Sequence, residues 1–164
     1  MIFVTVGHQM PFDRMLRLID RWSIDHGRDD LFAQVGESTF RSTQFECRPW
    51  LSPDDYRERL EGASGIISHA GTGTIIQGLL LGKPMLVLPR LAKNGETRND
   101  HQVGTARYFE SRGLLMAAYD DVGFAAALER FESFRPREEL GDYASDRLIE
   151  KISGFISAEP RPKD

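Results

Sequence analysis

Residues 65–88 carry the pattern that most restricts the fold of this chain, because they read as two strands joined by one helix. A short apolar run at 65–68 is followed by a turn of small residues, an apolar stretch at 75–81, and a second apolar run at 85–88. Short, unbroken apolar runs are typical of strands that are covered on both faces, and parallel strands need a crossover helix between them. The segment therefore predicts one β-α-β unit of a parallel sheet.

The rest of the chain continues the alternation of strands and helices. Periodicity and turn residues predict strands at 2–6, 31–35, 44–47 and 114–117, and helices at 12–22, 53–62, 100–111 and 121–131. Ser52 and Pro53 form a strong helix start, with the serine as N-cap, the proline at the first helical position and two acids after it. The predicted fold class is α/β with a Rossmann-like parallel sheet, and 1–134 is the predicted domain.

The end of the chain is harder to place. Arg135-Pro136-Arg137 interrupts the pattern, and apolar residues then recur at helical spacing between Leu140 and Ile156. We expect a C-terminal helical extension of the same domain at 135–158. The tail at 159–164 is rich in proline and charge and is expected to be disordered.

Charge and cysteine content exclude several classes of function. A net charge of −4 argues against nucleic-acid binding, which needs a basic face. No run approaches the roughly eighteen apolar residues of a membrane span, and the chain opens directly on a strand, so we expect neither export nor membrane insertion. The single cysteine, Cys47, has no Cys/His pattern around it, so neither a metal nor a cofactor is expected. A reducing cytoplasm is the expected compartment.

The turn at 69–74 reads His-Ala-Gly-Thr-Gly-Thr and leads into a helix. A helix that starts this way directs free N–H groups and partial positive charge beyond the strand end, where a diphosphate binds well. A P-loop would need lysine after its second glycine, where Thr74 stands, and a dinucleotide fingerprint would need a third glycine at Ile76. From this segment alone, a plain structural turn in which Thr72 and Thr74 cap the helix stays open.

The extended pattern resembles the C-terminal, donor-binding domain of glycosyltransferase family 28, which is one half of a GT-B fold. The resemblance runs from about residue 2 to about residue 118 and is carried by His69, the loop Gly71-Thr72-Gly73-Thr74, Gln77, Gly82-Lys83-Pro84 and Asn99-Asp100-His101-Gln102. It implies that His69 and the loop contact the diphosphate of the donor, that Gln77 binds its ribose, and that Asp100, His101 and Gln102 hold its sugar.

Within the family the chain is most similar to single-domain members, namely the catalytic subunit of the dolichol-linked N-acetylglucosamine transferase pair and PssE-type exopolysaccharide subunits. That resemblance implies transfer of a hexose from a UDP-sugar to a polyprenyl-diphosphate-linked saccharide in exopolysaccharide or capsule biosynthesis, with inversion and without a metal. It also implies a membrane-anchored, PssD-type subunit that binds the acceptor and holds this chain at the cytoplasmic face of the membrane. A non-catalytic nucleotide-sugar sensor and a stand-alone UDP-sugar hydrolase or epimerase-like enzyme remain alternatives.

Several positions depart from the family pattern or stand outside it. Gln77 replaces the usual glutamate at the ribose position, and His8 stands in the first loop where threonine is usual. His8 is the local candidate for a catalytic base. Arg90 follows a strand and is a candidate for contact with phosphate or an acidic sugar. Because active sites form beyond the carboxyl ends of parallel strands, His8 and Arg90 should meet on one rim with His69, Gly36 and Trp50.

Overall fold

The computed structural model describes residues 1–8 and 10–137, and it contains one sheet of six strands. The strands are β1 (Ile2–Thr5), β2 (Leu31–Gln34), β3 (Glu46–Arg48), β4 (Gly65–His69), β5 (Met85–Leu88) and β6 (Met116–Ala117). Their order is β3-β2-β1-β4-β5-β6, and every neighbouring pair is parallel. This is the Rossmann-like α/β sheet that the alternation of elements predicts.

The described residues form five helices, of which four lie between strands and the fifth follows β6. They are α1 (Asp13–Asp25), α2 (Pro53–Gly62), α3 (Thr72–Leu80), α4 (His101–Ser111) and α5 (Asp121–Leu128), with 3-10 turns at Ala92–Asn94 and Phe131–Ser133. The predicted start of α2 is confirmed, because the Ser52 hydroxyl accepts a hydrogen bond from the Asp55 N–H at 3.1 Å.

Several predicted boundaries differ from those in the structure, including those of α3, the last strand and α5. Helix α3 begins at Thr72, before the apolar stretch, because the Ile75 N–H already donates to the Gly71 carbonyl. The last strand is two residues long, since only Met116 and Ala117 pair with β5. Helix α5 ends at Leu128, and the chain reaches Phe131 in a separate 3-10 turn. In each case the backbone hydrogen bonds determine where the element begins or ends, and the periodicity of apolar residues carries no information about these bonds.

The core lies on both faces of the sheet. Ile2 and Val4 of β1 face α1 and α5, whereas Phe3 between them faces α2 and α3. A strand that is buried on both sides in this way explains the unbroken apolar runs in the sequence. Strands β2 and β3 are added on one side of β1, whereas β4, β5 and β6 are added on the other side. This switch in strand order leaves a crevice at the carboxyl ends of β1 and β4.

Most of the predicted extension at 135–158 and all of the tail at 159–164 lie outside the described residues. Across the part of the chain that the structure describes, no helix has the length and apolar character to cross a bilayer.

Candidate functional site

A cleft of about 610 Å³ opens at the carboxyl ends of β1 and β2, between helices α2 and α3. Of the residues predicted for the site, His8, Gly73, Thr74 and Gln77 line it. The remaining lining residues come from the strand ends, from α2 and from the end of α3: Thr5, Gly7, Gln34, Leu51, Pro53, Tyr56, Arg57, Leu60, Glu61, Leu80 and Leu81. The sheet thus brings the first loop and the glycine-rich turn to one cavity, as expected from the switch in strand order.

The floor of the cleft is polar. Thr5 and Gln34 are partners in the β1–β2 register, and each is the last residue of its strand. Gln34 is only 2% exposed, and its Oε1 accepts a hydrogen bond from the Leu51 N–H at 3.2 Å. Within 1–8 and 10–137, its Nε2 has no hydrogen-bond partner. A buried donor without a partner destabilises the folded protein, so this amide N–H can gain a hydrogen bond from a ligand acceptor in the cleft.

Tyr56 of α2 covers this floor. Burial raises the pKa of its phenol, and hydrogen bonds with the Thr74 and Thr5 side chains oppose that rise. Sequence reasoning missed Gln34 and Tyr56. The only hint in the sequence was a glutamine at the end of an otherwise apolar strand.

The first turn of α3 presents unpaired backbone donors. Gly71 is the N-cap residue, and the helix begins without any side-chain cap hydrogen bond. The interpretation in which Thr72 and Thr74 cap this helix is therefore wrong. Thr74 lines the cleft, whereas Thr72 is exposed and does not belong to the lining. The unpaired N–H groups and the helix dipole together favour an anion at this position.

His69 lies beneath this turn, with its imidazole packed between Gly7 and Gly71. A Cβ added at Gly7 would lie 2.5 Å from the ring Cε1, and one at Gly71 would lie 2.1 Å from Nε2. Gly7 also has a φ of +76°, a backbone conformation that other residues rarely adopt. Both glycines are therefore required by the position of this ring.

Burial and, to a smaller extent, the charges of Arg90 and His8 lower the pKa of His69 to about 4, against the opposing effect of a hydrogen bond with the Thr5 backbone. The ring is thus neutral near pH 7, and its Nδ1 has no partner in the described part of the chain. A neutral imidazole contributes to an anion site by donating a hydrogen bond and carries no charge of its own.

The low pKa of His69 predicts a pH dependence of stability. Between about pH 4 and the ordinary value of 6.5, the unfolded chain binds a proton at this residue that the folded chain does not. The free energy of unfolding should therefore rise with pH across this window, and His69 should account for roughly 3 kcal/mol of this rise at most. The same contribution is lost as the pH falls. Urea unfolding of the wild type and of His69→Gln at pH 4.5 and pH 7 measures this change in the free energy of unfolding. The exposed His101 supplies the control His101→Gln, and equal pH slopes in all three proteins would contradict the expectation.

His8 and Trp50 form the outer rim of the cleft. Their rings stack with centroids 5.2 Å apart and planes inclined by 24°, and both side chains are exposed. Gly36 lies directly under the Trp50 indole, because a Cβ there would come within 3.3 Å of the ring. The expectation that His8, Gly36, Trp50 and His69 meet on one rim is confirmed, and the catalytic role of His8 stays a prediction.

Arg90 is placed differently from the expectation. Its side chain is completely buried, so in this structure it offers no surface to a phosphate or an acidic sugar. The guanidinium donates instead to the backbone carbonyls of Val6, Pro11 and Glu96. The polar loop after β5 folds over the residue, and a cation at a strand end gives no sign of this in the sequence.

The three predicted sugar contacts lie at the start of α4, outside the cleft lining. The Asp100 carboxylate accepts a hydrogen bond from the Ala92 N–H at 2.8 Å, and the exposed His101 ring contacts the Asn99 side chain. Gln102 is only 3% exposed, and its Oε1 accepts a hydrogen bond from the Arg90 N–H at 3.2 Å. Of the three, Asp100 and His101 are thus exposed and can meet a sugar in this conformation, whereas Gln102 is buried.

The site as a whole offers donors for an anion and groups that hydrogen-bond to hydroxyls. Among residues 1–8 and 10–137, no cluster of three or more histidine, cysteine or acidic side chains could hold a metal ion.

Comparison with known proteins places these features in a family. Residues 1–134 match the glycosyltransferase family 28 C-terminal domain. The UDP-N-acetylglucosamine transferase subunit ALG13 of Yarrowia lipolytica is 27% identical over 179 residues, which cover 95% of this chain and 86% of that protein. The subunit of the same name from Mus musculus is 30% identical over 122 residues, and the match covers 69% of this chain but only 10% of the mouse protein.

Solved structures agree on the fold. The crystal structure of Acinetobacter baumannii MurG superimposes with a TM-score of 0.64 at 14% identity, over 93% of this chain and 49% of that chain. At this identity the likeness concerns the fold alone. This chain has the architecture of about half of that larger structure, and the predicted Rossmann-like half of a GT-B fold is confirmed.

Proposed function

The chain belongs to the glycosyltransferase family 28 C-terminal domain, and from this premise we propose that it is the donor-binding subunit of an enzyme that transfers a hexose from a UDP-sugar to a polyprenyl-diphosphate-linked saccharide. The proposed setting is exopolysaccharide or capsule biosynthesis. The observation that carries the proposal is that the uncapped start of α3 and the Gln77 side chain lie on one cleft.

The geometry suits a nucleoside diphosphate in one orientation. The diphosphate would lie at the first turn of α3, where the backbone donors of Thr72, Gly73 and Thr74 are unpaired within the helix. Gln77 stands one turn further along the same helix and is exposed to the cleft. Its amide can donate to one ribose hydroxyl and accept from the other.

The nucleobase would then occupy the part of the cleft between α2 and α3. Leu51, Leu60 and Leu80 provide apolar walls there, and Gln34 provides the unpaired donor on the floor. A base with ring carbonyl groups offers the acceptor that this donor needs. Adenine also carries acceptor nitrogens, so the choice of a uridine nucleotide rests in addition on the similarity to UDP-N-acetylglucosamine transferase subunits.

In the proposed reaction the acceptor hydroxyl attacks the anomeric carbon as the bond to UDP breaks, with inversion. The negative charge that develops on the leaving diphosphate would be stabilised by the α3 donors and by the Thr72 and Thr74 hydroxyls, without a metal. A general base must remove the proton from the acceptor hydroxyl. His8 on the rim, or a residue of the partner subunit, would take this role, while His101 orients the hexose.

The acceptor half would come from another polypeptide. A GT-B enzyme binds its two substrates between two domains, and the described part of this chain forms only one sheet domain. We propose a membrane-anchored, PssD-type partner that binds the lipid-linked acceptor and holds this chain at the cytoplasmic face of the membrane.

The ribose assignment makes a direct prediction. Gln77→Ala should weaken UDP binding by roughly 1 to 2 kcal/mol, or about five- to thirtyfold, because two hydrogen bonds to the ribose are lost. Gln77→Glu should preserve or strengthen binding, since a carboxylate accepts from both hydroxyls of the diol. Calorimetric titration with UDP and ADP measures both effects.

Gln44→Ala is the matched control, because Gln44 precedes β3 and does not line the cleft. Unchanged UDP affinity in Gln77→Ala, or equal wild-type affinities for UDP and ADP, would contradict the proposal.

A panel of UDP-sugars in the same titration would identify the hexose. Sugar transfer in the presence of the partner separates a transferase from a sensor, and rapid turnover of UDP-sugar by the chain alone would favour a hydrolase or epimerase-like enzyme.

A further inference from the structure

Arg90 is the most unusual charged residue of the described chain, because its guanidinium is completely buried without a carboxylate in hydrogen-bond contact. The nearest acid is Glu96, whose carboxylate is engaged by Arg14 through two hydrogen bonds of 2.6 and 2.9 Å. Burial lowers the pKa of Arg90 to about 10, and the charge of Glu96 opposes this only in part. Arg90 therefore stays protonated at neutral pH as an incompletely neutralised charge.

The hydrogen bonds of Arg90 join loops that are distant in the sequence. Its Nη2 donates to the Val6 carbonyl at 2.8 Å, and its Nη1 donates to the Pro11 carbonyl at 3.0 Å. These two residues are the ends of the segment that carries His8. The same Nη1 donates to the Glu96 carbonyl at 3.2 Å, in the loop that leads to α4.

Two further contacts fix the residue itself. The guanidinium lies over the Phe12 ring, 4.6 Å from its centroid, and the backbone N–H of Arg90 donates to Gln102 at the start of α4. Arg90 thus contacts both segments on which the proposed base and the proposed sugar ligand stand. The planar guanidinium connects the three carbonyls through two separate nitrogens, whereas a lysine would have to reach all three from a single nitrogen.

A buried cation is costly unless negative charge compensates it. The carbonyls supply partial compensation, and Nε has no partner within the described residues. The Arg90 guanidinium binds the carbonyl of Val6, the residue before Gly7, and the His69 ring packs between Gly7 and Gly71. The charge of Arg90 also contributes to the low pKa of His69. A diphosphate at the first turn of α3, which begins beside Gly71, would add negative counter-charge to this group of residues.

We propose that Arg90 is a positioning residue for sugar transfer, which fixes the His8 and His101 loops through backbone carbonyls and attracts the donor diphosphate through space. The inference rests on the proposed function. Arg90 does not touch the substrate, and its charge stabilises both the bound donor and the departing UDP. The charged or titratable groups around it are Arg14, Glu96, His69 and His8, and only Glu96 is acidic.

The test compares Arg90→Met, which removes the charge, with Arg90→Lys, which keeps it. Titration with UDP and with uridine separates the two parts of the proposal, because uridine carries no phosphate. In Arg90→Met, UDP affinity should fall about tenfold while uridine affinity changes less than about twofold. In Arg90→Lys, UDP affinity should stay within about threefold of wild type while sugar transfer with the partner falls by about tenfold or more.

Arg112→Met is the control, since Arg112 is an exposed arginine that also lies over an aromatic ring, at the far end of α4. An unchanged ratio of UDP to uridine affinity in Arg90→Met would overturn the electrostatic part, and wild-type transfer in Arg90→Lys would overturn the positioning part. If Arg90→Met does not fold, Arg90→Lys decides, and loss of fold in both would mean that Arg90 serves the fold alone. Failure of the wild type to bind UDP would instead overturn the proposed function, and the inference with it.

Discussion

The variant Gly71→Ala should bind UDP with roughly a hundredfold lower affinity than the wild type. This is the largest effect that we expect from the addition of one methyl group at this site. The added Cβ would lie 2.1 Å from Nε2 of His69 and 2.9 Å from two further ring atoms. The imidazole cannot yield toward the other side, because Gly7 already closes the space there. The clash must therefore push the first turn of α3 away from the His69 ring. The unpaired backbone N–H groups of that turn would then no longer point at the proposed diphosphate position.

Calorimetric titration with UDP and thermal unfolding measure this loss, and two other glycines provide the controls. A Cβ added at Gly104 in the middle of α4, or at Gly73, meets nothing within 4 Å. Gly104→Ala should keep both stability and binding. Gly73→Ala should keep stability but weaken binding, because Gly73 lines the cleft and the methyl group takes ligand space. Wild-type UDP affinity in Gly71→Ala would show that the diphosphate does not lie at this turn.

The purified chain alone should be almost inactive in sugar transfer, and a co-expressed acceptor-binding partner should raise the rate by about a thousandfold or more. The physical reason is orientation. In the proposed enzyme the domain that the structure describes binds the donor, and a second surface must bring the acceptor hydroxyl to the anomeric carbon. Lost orientation can cost several orders of magnitude in rate. Transfer of labelled hexose to a polyprenyl-diphosphate-linked saccharide measures the effect.

The partner combined with the Gly71→Ala chain is the matched control, since complex formation should survive while the donor site fails. Full transfer activity of the single chain would refute the two-subunit proposal. Activity of the partner combined with Gly71→Ala at the wild-type rate would show that the donor binds elsewhere.

The sequence allowed much of the fold to be predicted, because the relevant signals are local. Unbroken apolar runs gave the buried parallel strands, and Ser52 with Pro53 gave the start of α2, as the Asp55 hydrogen bond confirms. Capping of α3 by Thr72 and Thr74 was predicted as an alternative on the same local grounds and is wrong. Residue types that often cap helices do so only where the backbone brings their hydroxyls to the N–H groups.

The candidate site was predictable in part. His8, Gly73, Thr74 and Gln77 do line one cleft, because the ends of neighbouring parallel strands must meet at one edge. Gln34 and Tyr56 were missed, since neither belongs to a motif. Their proximity to the site depends on the β1–β2 register and on how α2 packs, which short-range patterns do not encode.

By itself, therefore, the sequence determined the order of strands and helices, the edge of the sheet at which a site forms, and the glycines that such a turn requires. Only the tertiary structure decided what individual polar side chains do there. The sequence predicts that Arg90 contacts phosphate or an acidic sugar, yet its side chain is buried and donates to the Pro11 and Val6 carbonyls, 79 and 84 residues away. His69 is made neutral by the same packing. Burial and charge compensation are properties of contacts between distant segments, so periodicity and spacing along the chain cannot reveal them.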